Sequence, residues 1–354
     1  MSAFEDNSGK IAASAFKDIL LPQCGYRREE VLTGPKFGVD TAVIDLGNNQ
    51  GMAVSSDPLS LIPSIGLKAS AWLSVHLLAN DMASTGFAPM YAQFVLNLPP
   101  SLSLDAFKEY WTYIHQFCDD IGVAITGGHT GQIEGQNSTI SGGGTMFLTA
   151  PLNEIMTSNR AEPGDVLVVT KETALTASSI LAMSFPETVQ NKLGKEVYEK
   201  GCENFYQTSS LKDALAATEI LRNNVELKAM HDVTEGGIVG AICEMAKASG
   251  CGFRIDNEKL PVGEAQRRIT QLFEIDHRFC VGAGSMIMAV KRGSENALIS
   301  HLNSKRIKAT IVGEMTLEED GFKILENGEE KTLFFGGKDP YWEAFFRALN
   351  AGWK

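Results

Sequence analysis

The sequence predicts an α/β (α+β) protein of two domains. The chain has 354 residues, which exceeds the usual size of one domain, so two domains of roughly 150 to 190 residues are expected. Strand-like and helix-like segments alternate between Val43 and Thr149, and the apolar periodicity lapses over residues 151–164. We therefore predict an N-terminal domain over residues 1–150 and a C-terminal domain over residues 151–354.

Apolar spacing predicts the elements of the first half. Alternating apolar residues indicate strands, and apolar residues three or four positions apart indicate helices. A glycine after an apolar helical pattern, such as Gly86 or Gly122, indicates where the helix ends. The predicted strands are residues 52–56, 91–98 and 123–126, and the predicted helices are residues 67–82 and 104–121.

The second half mixes strands and helices in the same way. The predicted strands are residues 166–170, 285–291 and 308–313. The predicted helices are residues 174–185, 211–222, 238–248 and 295–303, and residues 231–237 form a turn before the third of them. The sheet-and-helix content of both halves gives the predicted fold class.

Charge and hydropathy exclude two classes of partner. The chain has 31 Lys and Arg against 43 Asp and Glu, a net charge of −12, which repels nucleic acid. No apolar run approaches the roughly 20 residues that a membrane helix needs. Residues 1–10 are polar and lack the apolar core of a signal peptide. We therefore expect a cytoplasmic protein that binds neither nucleic acid nor membrane.

The six cysteines stand singly along the chain. None forms a C-x-x-C pair or has a histidine at zinc-ligand spacing. Cys118 and Cys243 fall within amphipathic helical patterns, where a small apolar group packs well. Free, buried thiols are the prediction.

Three carboxylates are candidate metal ligands. Asp40 precedes a predicted strand, Asp57 follows one, and Asp81 lies late on an apolar helix, so the three can meet at one sheet edge. Carboxylate oxygens are the ligands that Mg²⁺ prefers. The alternative is that Asp40 and Asp57 are turn or capping residues and that Asp81 faces solvent.

Two glycine-rich stretches interrupt strand patterns. The sequence GGHTG at residues 127–131 follows a predicted strand, where glycine amides can approach an anion closely. A glycine turn with a buried structural histidine is the alternative. The three glycines at residues 142–144 indicate either a bulge or a close backbone approach to a ligand.

The segment HDVTEGG at residues 231–237 carries the densest local pattern. Two glycines at a helix start present free N–H groups and a positive dipole end, which suit phosphate. His231, Asp232 and Glu235 offer acid–base or substrate-binding groups. The alternative is a helix N-cap made by Asp232 or Thr234, with Glu235 in the first turn.

These motifs occur in an order that resembles the AIR synthase (PurM-like) superfamily, over about residues 34–313. The closest similarity is to its HypE-like, AIR synthase-related members. The matching motifs are GVD at residues 38–40, SDP at 56–58, ND at 80–81, GGHT at 127–130 and HDVTEGG at 231–237.

The resemblance implies a two-domain fold, a bound nucleotide and a metal. The N-terminal mixed sheet would form a barrel-like interface with a second copy, giving a homodimer with ATP at that interface. Magnesium would bind to Asp40, Asp57 and Asp81. The implied nucleotide-binding residues are Lys68, Asn80, Gly127, Gly128, His129, Thr130, Gly236 and Gly237. The implied catalytic residues are His231, Asp232 and Glu235.

The chain departs from the superfamily pattern at three places. Relatives often carry two adjacent acids where this chain has Val39 and Asp40, so one metal ligand is missing. The sequence KETA at residues 171–174 replaces a glycine-containing loop. The chain ends in AGWK without the terminal cysteine of HypE, so we expect no reaction at a tail thiol.

The expected activity is ATP- and Mg²⁺-dependent phosphorylation of an oxygen in a small molecule, such as an amide, a carboxylate or a phosphate ester. A kinase and a ligase outcome both remain open. One alternative is a non-catalytic nucleotide-binding partner or sensor. Another, ranked lower, is AIR synthase itself, the phosphoribosylformylglycinamidine cyclo-ligase.

Overall fold

A computed structural model describes residue 11 and residues 13–354 of the chain, arranged around two β-sheets. The predicted polar segment at residues 1–10 lies outside the described residues. Over the described part of the chain, no helix is both long and apolar enough to cross a membrane. The α/β class predicted from the sequence is confirmed. The division at residues 150/151 stays a prediction.

The first sheet contains six strands in the order β1-β2-β3-β6-β4-β5. Neighbouring strands are antiparallel, except that β4 and β5 are parallel. The strands are β1 (Val31–Thr33), β2 (Ala42–Gly47), β3 (Gln50–Ser60), β4 (Tyr91–Leu98), β5 (Ala124–Gln132) and β6 (Ile140–Pro151).

The second sheet contains seven strands in the order β13-β12-β9-β11-β7-β10-β8. Only the β12–β9 pair is parallel. The strands are β7 (Val166–Thr170), β8 (Leu227–Asp232), β9 (Gly252–Asp256), β10 (Met286–Val290), β11 (Ala309–Thr316), β12 (Phe322–Glu326) and β13 (Glu329–Thr332).

The helices form layers on these sheets. They are α1 (Ala13–Ala15), α2 (Gly66–Ala83), α3 (Leu104–Asp120), α4 (Leu175–Ser184), α5 (Pro186–Leu193), α6 (Lys195–Asn204), α7 (Leu211–Thr218), α8 (Gly237–Ser249), α9 (Glu264–Leu272), α10 (Glu295–Ser304) and α11 (Tyr341–Asn350). Helices α2 and α3 cover one face of the first sheet, and their core continues onto α7, α10 and one face of the second sheet. Helix α8 packs on the opposite face of that sheet.

Strand lengths correct two predictions that bear on the site. Strands β4 and β7 have the predicted bounds, but β3 and β5 continue beyond them. Asp57 therefore lies within β3, opposite Gly144, and does not follow the strand. The GGHT motif lies within the edge strand β5 and not in a loop after a strand.

The glycines of the first sheet allow strands to approach closely. A Cβ at Gly128 would lie 1.9 Å from the Phe94 carbonyl oxygen, and one at Gly142 would lie 1.8 Å from that of Val95. Both glycines have positive φ angles, 144° and 141°. A register shift between Leu59 and Ser60 also occurs where β3 pairs with β6. The predicted bulge is therefore present, and backbone packing requires these glycines.

One face of α2 binds the segment that precedes α7. Trp72, His76 and Asn80 are four residues apart and so share that face. The Trp72 indole N–H donates to Thr208 Oγ1 at 2.9 Å, and His76 Nδ1 lies 3.0 Å from Ser209 Oγ. We call this contact between α2 and residues 208–210 the α2 clamp.

Asn80 makes the central bonds of the α2 clamp. Its side-chain amide donates to the Thr208 carbonyl oxygen at 3.0 Å, and its side-chain oxygen accepts from the Ser210 N–H at 2.7 Å. Asn80 is completely buried. The clamp ties the helix that carries Asp81 to the second half of the chain.

We expect Asn80→Ala to destabilise the protein. The substitution leaves a buried carbonyl and a buried N–H without the Asn80 amide, at about 1–3 kcal/mol each, so the free energy of unfolding should fall by about 2–6 kcal/mol. Urea unfolding measures the change. Asn191→Ala, on an exposed position of α5, is the control and should stay within about 0.5 kcal/mol of the parent. Equal midpoints for both variants would rule out a stabilising clamp.

Candidate functional site

Strand β3 and helix α2 bring Asp57 and Asp81 to the same layer. Side chains two positions apart on a strand point to one face, so Ser55 and Asp57 share the face of β3 that α2 covers. The Ser55 hydroxyl donates to Asp81 Oδ2 at 2.6 Å. Asp81 is thus positioned by a hydrogen bond from β3, near the end of its helix.

Close packing on α8 brings Asp40 to the second half of the chain. Gly38 has a φ of +74°, and a Cβ there would lie 2.4 Å from the Glu244 carbonyl oxygen. Lys36 Nζ donates to the Ala248 carbonyl oxygen at 2.7 Å, near the end of α8. Only glycine permits this approach, which explains why the GVD motif begins with a glycine.

His231, at the end of β8, bridges Asp40 and α8. Its Nδ1–H donates to the Asp232 carbonyl oxygen at 2.7 Å. Its Nε2 lies 3.5 Å from Asp40 Oδ1 and 3.3 Å from Glu244 Oε2. Burial alone lowers the pKa of His231, but Asp40, Glu244 and Asp232 outweigh burial and raise it to about 9. The imidazole is therefore a cation among carboxylates at neutral pH.

The carboxylates of Asp40, Asp57, Asp81 and Asp232 form one cluster, which we call the acid cluster. Burial raises the pKa of Asp81 well above its usual range, and the charges of Asp232, Asp57 and Asp40 raise it further. Ligand atoms of Asp40, His231 and Asp232 lie within 4.8 Å of one another. This concentration of carboxylate oxygens suits a hard divalent cation such as Mg²⁺, which would offset the repulsion.

His231 and Asp232, two of the three predicted catalytic residues, are buried. Each is 1% exposed, and the His231 imidazole contacts Asp40 and Glu244. Asp232 lies in the acid cluster, beside the predicted metal ligands. The catalytic role of His231 and Asp232 stays a prediction. Thr234 and Glu235 are partly exposed, so Glu235 is the predicted catalytic residue of the motif that has exposed surface.

The two glycines of HDVTEGG have acceptors within the chain. The Gly236 N–H donates to Asp339 Oδ2 at 2.8 Å, and the Gly237 N–H donates to the Thr234 carbonyl oxygen at 3.2 Å. Both glycines have positive φ angles. A Cβ at Gly236 would lie 2.5 Å from the Phe335 ring, and one at Gly237 would lie 2.5 Å from a carbonyl oxygen of the 278–280 segment. Packing requires these glycines, and their phosphate binding stays a prediction.

Within a single chain, the remaining residues that were predicted to bind the nucleotide lie apart from the acid cluster. Gly127, Gly128, His129 and Thr130 are exposed on edge strand β5. Lys68 is exposed near the start of α2, thirteen residues before Asp81, or about 20 Å along the helix axis. Its ammonium group lies 5.9 Å from the Tyr113 ring and 5.8 Å from the Tyr206 ring. The Asn80 amide is directed at residues 208–210 and not at the cluster.

Sequence reasoning missed two residues that support the acid cluster. Ser55 donates to Asp81, and Glu244 contacts His231. Glu244 is 8% exposed within the apolar helix α8. A lone glutamate among the residues of an apolar helix was the available signal, because a buried carboxylate needs a partner. Ser55 carried no such signal.

All six cysteines are free thiols, as predicted, and all lie in the described part of the chain. Cys118, Cys243, Cys251 and Cys280 are buried, whereas Cys24 is exposed and Cys202 is half-buried. Burial raises the pKa of the Cys118 and Cys243 thiols to about 12. These thiols are therefore core groups and not nucleophiles.

Three curated proteins of different activities are similar to this chain over most of their lengths. Carbamoyl dehydratase HypE of Escherichia coli K12 is 25% identical, covering 74% of this chain and 75% of that protein. Thiamine-monophosphate kinase of the same organism is 24% identical, covering 86% and 91%. Selenide, water dikinase of Methanococcus maripaludis is 28% identical, covering 86% and 92%.

The solved structures confirm the PurM-like two-domain fold. The structure of hydrogenase maturation protein HypE in complex with ATP has a TM-score of 0.68 at 17% identity, covering 95% of this chain and 97% of that one. The family model for the N-terminal domain of AIR synthase related proteins matches residues 38–147, and the model for the C-terminal domain matches residues 162–325. The chain belongs to the AIR synthase-related family.

Proposed function

We propose that this protein is an ATP- and Mg²⁺-dependent enzyme that phosphorylates an oxygen of a small molecule. The acid cluster is the observation that carries the proposal, because its four carboxylates repel one another and a divalent cation would offset that repulsion. A similar chain is solved in complex with ATP, and another relative is a thiamine-monophosphate kinase. The acceptor is an amide, a carboxylate or a phosphate ester.

The residues of the site have separate tasks in this proposal. Asp40, Asp57, Asp81 and Asp232 would hold Mg²⁺, which neutralises the charge of the phosphates when it is bound. Ser55 orients the Asp81 carboxylate through its hydroxyl hydrogen bond, and His231 orients the Asp40 carboxylate through its Nε2 contact. Glu235 acts as general base where the acceptor has a proton to lose, as an amide does from its N–H when its oxygen attacks the phosphoryl group.

The open face of the first sheet supports a homodimer. Helices cover one face of this sheet, whereas Val95 on the other face is 43% exposed. Strand β5 is an exposed edge and carries the GGHT residues. A second copy on this face would cover the edge and complete a nucleotide site in which His129 and Thr130 contact ATP.

Light scattering tests the dimer. We expect the parent to have about twice the 38.3 kDa monomer mass and Val95→Glu to be monomeric, because a charge would be buried at the interface. Val225→Glu, at a site 40% exposed outside the sheet, should remain dimeric. A monomeric parent at micromolar concentration would contradict the proposed interface.

Asp57→Asn and Asp81→Asn should weaken Mg–ATP binding at least about tenfold by calorimetry, because each removes a charge from the metal site. Because the pKa of Asp81 is raised in the folded state, this carboxyl group lowers the stability of the metal-free protein at neutral pH, where the unfolded chain carries it ionised. In EDTA, Asp81→Asn should therefore melt at a higher temperature than the parent. It should also lose most of the increase in melting temperature that Mg²⁺ alone causes.

The control for both measurements is Asp105→Asn, whose carboxylate is exposed in the first turn of α3. This variant should bind Mg–ATP with parent affinity and respond to Mg²⁺ like the parent. If both cluster variants keep parent affinity, the acid cluster is not the metal site.

Glu235→Gln tests the proposed base. Proton transfer by a positioned group typically contributes about 10²- to 10⁴-fold in rate, so ADP formation should fall at least about 100-fold with Mg–ATP affinity unchanged. A screen of amides, carboxylates and phosphate esters with ADP as readout identifies the acceptor. Near-parent turnover by Glu235→Gln would remove Glu235 from the site. ATP binding without ADP formation for any acceptor would favour the non-catalytic partner or sensor.

A further inference from the structure

The segment that leads from the second sheet into the first turn of α11 crosses the HDVTEGG motif. We call residues 335–342 the C-terminal strap. The Asp339 carboxylate accepts a hydrogen bond from the Gly236 N–H at 2.8 Å. The Trp342 indole Nε1–H donates to Glu235 Oε1 at 3.0 Å. The strap therefore contacts both the backbone and the side chain of the turn that carries Glu235.

Aromatic packing holds the Trp342 indole in place. Tyr341 is 4% exposed and belongs to the core beneath α11. The Tyr341 and Trp342 rings lie 5.1 Å apart in an edge-on arrangement, and the Phe346 ring is stacked on Trp342 at 6.5 Å. Contacts with these two rings restrict the indole, and its N–H is directed toward Glu235.

Asp339 ties the strap to the same turn. Besides the bond from Gly236, its Oδ1 accepts from the Tyr341 N–H at 2.8 Å. Burial and the charge of Glu235 raise the pKa of Asp339 to about 6, against backbone hydrogen bonds from Gly236, Tyr341 and Val281 that lower it. The carboxylates of Asp339 and Glu235 are therefore close enough to repel each other. A donor on Glu235 is needed to hold its carboxylate in this position.

We infer that Trp342 is a positioning residue for Glu235, so that the C-terminal strap forms part of the reaction site. The inference rests on the proposed function, in which Glu235 is the general base. A glutamate side chain has several rotatable bonds, and a base must lie within hydrogen-bonding distance of the proton it takes. The indole N–H selects one carboxylate orientation before substrate binds, which lowers the entropic cost of reaching the transition state.

Trp342→Phe tests the inference, because phenylalanine retains an aromatic ring between Tyr341 and Phe346 but has no N–H. We expect kcat for ADP formation from Mg–ATP to fall about 10-fold with KM for ATP unchanged, since a small misplacement of a catalytic group costs 10- to 100-fold. Trp353→Phe is the matched control. Its indole packs on Phe185 and Phe273 in the same C-terminal region, and this variant should keep the parent kcat.

A double variant separates positioning from a structural role. In a Glu235→Gln background, adding Trp342→Phe should cause no further loss of kcat, because the two residues act through one carboxylate. A further 10-fold loss in that background would show that Trp342 acts elsewhere and would overturn the inference.

Indole NMR tests the contact independently of turnover. The chain has 4 Trp residues, and the signal lost in Trp342→Phe identifies the Nε1–H of Trp342 in the ¹H–¹⁵N spectrum. Glu235→Gln should shift that signal, because a carboxylate acceptor becomes a neutral amide, and should leave the others in place. An unshifted Trp342 signal would overturn the inference.

The two proposals fail in different ways. If Glu235→Gln abolishes ADP formation while Trp342→Phe keeps the parent kcat, Glu235 remains the base and the positioning role is overturned. If Glu235→Gln keeps turnover while the Trp342 signal shifts, the contact is present but the proposed base is wrong, and the positioning role is overturned with it.

Discussion

Electrostatic repulsion within the acid cluster is the constraint on which the site depends. Asp40, Asp57, Asp81 and Asp232 come from a loop, a strand, a helix end and a second sheet, and each charge disfavours the others. Without support, four such groups would separate or bind protons. The surrounding structure therefore has to hold them together, and His231, whose pKa these carboxylates raise, lies against Asp40.

Contacts between the two halves of the chain provide that support. The α2 clamp fixes the helix that ends near Asp81 against residues 208–210. Gly38 rests on the backbone of α8 at Glu244, which sets the position of Asp40 relative to His231. These contacts are short-range packing and hydrogen bonds, so they oppose the longer-range repulsion without adding charge. A cation would then bind to a preformed set of ligands, with little further ordering required.

The HDVTEGG turn shows how one motif serves two purposes. Asp232 belongs to the acid cluster and is buried beside His231, whereas Glu235 is partly exposed and contacts Trp342. The paired glycines permit the chain to turn into α8 directly after Glu235, in close contact with Phe335 and the 278–280 segment. Proteins with different activities are similar to this chain, so the activity depends on the residues of the site and not on the fold alone.

The sequence by itself determined the fold class, many of the strands and helices, and three members of the acid cluster, because these depend on local periodicity and on motif order. The sequence also contains the dipeptide Asn327–Gly328, which is typical of a hairpin turn. It connects β12 and β13, and both residues have positive φ angles. Only the tertiary structure decided that His231 faces Asp40 and Glu244, that Asn80 clamps a distant loop, and that Asp339 and Trp342 cover the glycine turn. The partners in these contacts are separated by as many as 191 residues, as in the case of His231 and Asp40, and no local pattern encodes a pairing that depends on how two sheets pack.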